Sequence, residues 1–220
     1  MKLRSIAVFA IFAAALAACS GLDQPTTSGE PLVARYVPAN VGVAAADWTV
    51  SRVQIDVSPD LTVSDADLYY PIADIVWRGD PPGDRRLQVA TLMEESLTDG
   101  LSHLSGTQDV SMTFVVRRFH SVTERARAAL GGVHSIMFDL SVFDTETGLR
   151  ILGPLPIDAS LAAFGRGEAL KADLRGETQK VRIRRHLGNL MRVEFPGNGI
   201  FDPVGETEDP AGETVELEEG

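Results

Sequence analysis

The chain is 220 residues long, 44% hydrophobic and 23% charged, with four His, one Cys and a formal net charge of -11. That length suits one domain with appendages, and the apolar fraction excludes wholesale disorder. A single Cys excludes a disulfide framework or a Cys-rich zinc site. So acidic a chain is also a poor holder of phosphate backbone, so nucleic acid is not an expected partner.

The first residues read as a leader. Lys2 and Arg4 precede an apolar run from Ile6 to Leu16 that is too short to span a bilayer and has the flanks of a signal peptide. The segment Leu16-Ala17-Ala18-Cys19 resembles the bacterial lipobox and uses the only Cys. The resemblance implies that residues 1–18 are a lipoprotein signal peptide, cleaved before Cys19 once that residue carries its lipid. The new amino terminus would then be acylated, and two or three chains anchor stably where one does not. Ser20 follows the Cys in place of Asp, which favours the outer membrane.

Residues 19–46 read as a lipidated tether, punctuated by Pro and Gly and without period. An α+β domain is expected over 47–195. Its first strand carries Trp48, Val50, Val53, Ile55 and Val57. A Pro- and Gly-rich loop from Leu61 to Asp84 follows, then a helix from Arg85 to Leu104, N-capped by Asp84, with an apolar stripe of Leu87, Ala90, Leu97, Leu101 and Leu104. Two strands alternate: Val110, Met112, Phe114 and Val116 share one face, and His134, Ile136, Phe138, Leu140 and Val142 share another. Asp144 to Gly148 is a hairpin turn returning through Leu149 to Leu152, and Ile157 to Ala163 reads as a further strand. A helix from Lys171 to Glu194 buries Ile183, Leu187, Leu190 and Met191, and Pro196 stops it. The fold expected is an antiparallel sheet of about four strands with two helices on one face. Residues 196–220, with eight acidic and no basic side chains, read as a disordered tail.

The runs Gly131-Gly132-Val133-His134-Ser135-Ile136, Asp144-Thr145-Glu146-Thr147-Gly148 and Thr178-Gln179-Lys180-Val181-Arg182-Ile183 resemble an uncharacterised alphaproteobacterial lipoprotein family, a domain of unknown function, over about residues 48–195. The element order is also similar to small α+β lipoproteins that assist envelope transporters. Neither resemblance brings a catalytic residue with it.

Motifs for chemistry are few. The sequence has no Walker loop, HExxH, nucleophile elbow or GxGxxG. No cofactor or metal is expected, because the four His lack ligand spacing. His134 reads as a core histidine; Asp56 and Asp139 could pair for acid/base work only if their strands were adjacent. On the last helix, Arg182, Arg185 and Arg192, with Asn189, share a face offset from the apolar stripe. They are the candidate contact for an anionic lipid or an acidic envelope protein. The expectation is therefore a non-enzymatic lipoprotein, lipid-anchored in the bacterial envelope and facing the periplasm. It would have a binding or assembly role, as an accessory to an envelope transport complex. The alternative is a periplasmic carrier of lipid or a small molecule.

Overall fold

The computed structural model describes residues 36–197. The leader, Cys19, most of the tether and the acidic segment from 198 onward lie outside the described residues.

The elements, in chain order, are α1 (Ala39–Ala44), a 3-10 turn (Ala45–Asp47), β1 (Trp48–Asp56), β2 (Ile75–Val76), α2 (Arg85–Leu101), β3 (Gln108–His120), α3 (Glu124–Ala129), β4 (Gly132–Asp144), β5 (Arg150–Asp158), β6 (Leu161–Ala163), α4 (Arg166–Leu174) and α5 (Gln179–Glu194). The fold is α+β, with a sheet whose central path is β1-β3-β4-β5. Its alternation comes straight from the sequence. Val110, Met112, Phe114 and Val116 of β3, and His134, Ile136, Phe138, Leu140 and Val142 of β4, are all buried on the face that α2 and α5 cover. Thr113, Val115, Asp139 and Ser141 lie on the opposite, partly exposed face.

The sheet is mixed rather than wholly antiparallel. β1 runs parallel to β3, pairing Trp48 with Gln108 and Asp56 with Val115. A parallel neighbour needs a long crossover, and α2 supplies it. β2 also pairs parallel to β3, at Phe119 and His120, so β1 and β2 follow one another along the same edge. The segment expected as a plain loop from Leu61 to Asp84 therefore contains a strand. Ile75, Val76 and Trp77 are fully buried, and Trp77 meets Phe119 edge to face with ring centroids 5.6 Å apart. The strand expected from Ile157 to Ala163 is divided at Ser160: its first part ends β5, and its second is β6, paired with Gly132 to His134.

Three helical expectations change. Asp84 caps α2 by accepting from the Arg86 and Leu87 amides. The helix ends at Leu101, not Leu104; of the expected stripe Leu97, Leu101 and Leu104 are buried, Ala90 is half-buried and Leu87 is exposed, and Val89, Leu92 and Met93 complete the buried face. Gly100 lies on the same buried face. It packs on α5 so closely that a Cβ there would lie 2.5 Å from the Gly188 carbonyl oxygen. The helix expected from Lys171 to Glu194 is two helices, because Gly176 has φ +79° and Thr178 starts α5 as an N-cap, accepting from the Val181 amide. Within α5 the expected stripe of Ile183, Leu187, Leu190 and Met191 is buried. Finally, the tether expected to run to residue 46 ends earlier. Val37 and Ala45 are buried, and α1 leads directly into Trp48, whose ring lies 6.0 Å from Phe195. Glu194, buried at the end of α5, accepts from the backbone N–H of Tyr36 and of Val37 at 2.8–3.1 Å.

Candidate interaction surface

The argininyl stripe of α5 is present as a stripe, but each of its members has an internal partner. Arg182 donates to the Ala162 carbonyl on β6 at 2.8 Å, and its guanidinium sits 3.6 Å from the centre of the Phe164 ring. Arg185 pairs with Glu177 at 2.6 Å, and that hydrogen bond holds the Glu177 carboxyl below its ordinary value. Arg192 donates to the Asp99 carbonyl and carboxylate, both at 3.1 Å. The three arginines thus tie α5 to β6, to the α4–α5 connection and to α2. Cys19, the residue of lipid attachment in the sequence reading, lies outside the described residues.

The remaining sequence candidates separate. Asp56 and Asp139 both stand opposite Val115, from strands on either side of it. Two strand spacings, roughly 10 Å, lie between them, and Arg117 donates to Asp139 at 2.9 Å. His134 is buried, and its Nδ1 accepts from the Val122 amide at 3.4 Å. Burial first, then the charges of Arg182 and Arg127, push its pKa down to about 4. Among the described residues no group of three or more His, Cys, Asp or Glu could hold a metal ion.

A surface that sequence reasoning missed lies on the loop between β1 and β2. Leu68, Tyr69, Tyr70 and Ile72 are all exposed, Tyr70 at 82% and Ile72 completely. The cause is local geometry. Pro71 and Ala73 are buried, so the alternating residues Tyr70 and Ile72 are turned outward. The loop is fixed at several points. Asp74 accepts from the Thr62 amide and hydroxyl at 2.9 and 2.7 Å, which lowers its pKa. The Ser64 amide donates to Ile75 at 3.0 Å. Thr123 donates its hydroxyl to the Leu68 carbonyl at 2.7 Å, and the Arg125 amide donates to Asp67 at 2.8 Å. The Arg125 guanidinium also stands 5.7 Å from the centre of the Tyr69 ring. Below this lies a polar cleft of about 330 Å³ lined by Asp65, Arg78, Asp80, Arg85 and Glu124. Its charges pair with one another: Arg85 with Asp65 at 2.7 Å, and Arg78 with Glu124. Asp80 pairs with Lys180 and accepts from the Trp77 indole at 2.7 Å. The cleft is thus a clamp that stiffens the base of the loop. The sequence signal was the uncharged run Leu68-Tyr69-Tyr70-Pro71-Ile72-Ala73, set between Asp67 and Asp74. A single exposed apolar residue means little, but four within five positions form a patch.

A family model described as a family of unknown function (DUF6778) matches residues 48–204. No curated protein matches the chain. The solved structures it resembles include a "putative lipoprotein" from Caulobacter crescentus CB15, at 13% identity over 71% of this chain and 93% of that one, with a TM-score of 0.32. Another is described only as an uncharacterized protein, at 16% identity over 67% of this chain and 92% of that one, with a TM-score of 0.34. At those scores neither bears on what this chain does.

Proposed function

We propose, for a chain that belongs to the DUF6778 family of unknown function, the role of a lipid-anchored lipoprotein of the bacterial envelope. Its domain serves as a non-enzymatic binding or assembly module, facing the periplasm. The lipobox ending at Cys19 supplies the address. The acyl chains on Cys19 would make the attachment; among the described residues no helix is long and apolar enough to cross a membrane. The observation that carries the binding role is the fixed, outward-facing patch of Leu68, Tyr69, Tyr70 and Ile72. A surface of that kind is held in the conformation in which it meets a partner, which lowers the ordering cost of contact. The carrier alternative needs an apolar cavity between sheet and helices. Among the described residues that space holds Trp48, Trp77, Phe114, Phe119, Phe138, Met93 and Met112, all fully buried.

Two measurements test the reading. Cys19→Ser should abolish fatty-acid labelling and leave the precursor uncleaved; a mutant that still labels overturns the anchor. A photo-crosslinker in place of Tyr70 in intact cells should form adducts that one in place of the exposed Leu149, on the β4–β5 hairpin, does not. Equal adducts at both positions would remove the patch from the argument.

A further inference from the structure

We infer that the Leu68–Ile72 patch seats in the interfacial layer of the bilayer that holds the acyl chains of Cys19, so that the domain lies on the membrane at this loop. The inference rests on the lipoprotein reading above. Sixteen residues separate Cys19 from Tyr36, and a chain of that length reaches no more than about 60 Å whatever its conformation. An acylated Cys19 would therefore keep residue 36 within about 60 Å of the lipid surface. A second, weak contact with that surface is then effectively intramolecular and needs little affinity of its own.

The chemistry of the patch fits lipid. From Leu68 to Ala73 it carries no charged residue. Tyr69 and Tyr70 offer the amphipathic rings that settle at the headgroup level, while Leu68 and Ile72 offer the apolar surface beneath. The aspartates on its flanks are each held to the protein: Asp65 pairs with Arg85, while Asp67 accepts from the Arg125 amide and Asp74 from Thr62, and those two keep their negative charge at the margin of the patch. The backbone is prepared as well. Pro71 has no N–H, and the Leu68 carbonyl is satisfied by Thr123; at the hydrated headgroup level the other backbone groups of the run can keep water as their partner, so the insertion must be shallow. Because the contact is apolar, it should be insensitive to salt, unlike a contact made by the arginines of α5.

The test uses the mature, acylated full chain carrying Ile72→Cys, labelled at that thiol with an environment-sensitive fluorophore. The acyl mass on Cys19 is verified before reconstitution into phosphatidylcholine vesicles. Emission from position 72 should shift to the blue and be quenched severalfold more by shallow lipid-borne quenchers than emission from the same label at Leu149→Cys. The difference should persist in 0.5 M salt, and Tyr69→Ser with Tyr70→Ser should abolish it. An acylated protein whose label at position 72 stays in water overturns this inference alone. Burial of that label only when envelope proteins are added assigns the patch to a protein partner, and overturns it too. A chain without acyl mass overturns the anchor reading and this inference with it.

Discussion

His134 should make the domain acid-labile over a defined range. The folded state lowers its pKa from 6.5 to about 4, because the ring is buried beneath the charges of Arg182 and Arg127 and beside His186. A depressed folded pKa means that, between those two values, the unfolded chain binds a proton that the folded chain does not. The stability is therefore fully present above pH 6.5 and is lost progressively as the pH falls to about 4. At about 1.36 kcal/mol per unit, the loss approaches roughly 3 kcal/mol. His120 and His186 are also lowered by burial and act in the same direction. Asp144, lowered to about 2 by the hydrogen bond from Gln108, matters only at more acid pH. A subtraction isolates His134. His134→Gln keeps an acceptor in reach of the Val122 amide but cannot titrate. Urea midpoints measured from pH 7 to pH 4 should converge, with the wild type losing about 3 kcal/mol more than the variant. Two curves that stay parallel across that range would refute the reasoning.

Further substitutions, at three positions, probe the packing. Gly100→Ala places a Cβ 2.5 Å from the Gly188 carbonyl oxygen and 2.9 Å from Met191 Cβ, and should cost about 1–3 kcal/mol by forcing the helices apart. Gly188→Ala meets nothing closer than 3.3 Å and gains helix propensity, so it should be near neutral in the same denaturation assay. Glu194→Ala leaves the Tyr36 and Val37 amides unpaired and should cost about 2–3 kcal/mol. Hydrogen exchange at those two amides should rise well above its wild-type rate, and Glu194→Gln should restore part of the protection.

The parts of the fold legible in the sequence were those whose reason is local. β3 and β4 alternate strictly, and the last turns of α5 repeat Ile183, Leu187, Leu190 and Met191, so one face of each was fixed by period alone. α2 begins at Arg85 as expected, and the second half of its stripe is buried, but Leu87 in its first turn faces out, since the helix has apolar residues around much of its surface. Its buried face also holds Gly100, in contact with Gly188 from the other end of the chain. The break before α5 did carry signals, in Gly176 and Thr178, but they were outweighed by a continuous polar-apolar rhythm. β2 and the parallel pairing of β1 depend on contacts about 45–60 residues apart, which no local pattern records. The candidate surface was missed for a related reason. Proline and glycine density marks the segment as irregular, and that density does not say which side chains an irregular loop turns outward. The spacing of Arg182, Arg185 and Arg192 on α5 is visible in the sequence, while their partners, Ala162, Glu177 and Asp99, come only from the fold.

The clamp that Glu194 forms on Tyr36 and Val37 also has a mechanical side. If the chain is held at a membrane through its amino-terminal segment, any pull on the domain enters at residue 36. There it meets a buried carboxylate at the end of α5, and a tyrosine hydroxyl bonded to the Asp158 carbonyl at 2.7 Å. Load passes into the last helix and the end of β5 before it reaches Trp48. The amino-terminal strand β1 is thereby shielded from being peeled off the sheet one hydrogen bond at a time, and the domain should resist tension as a unit.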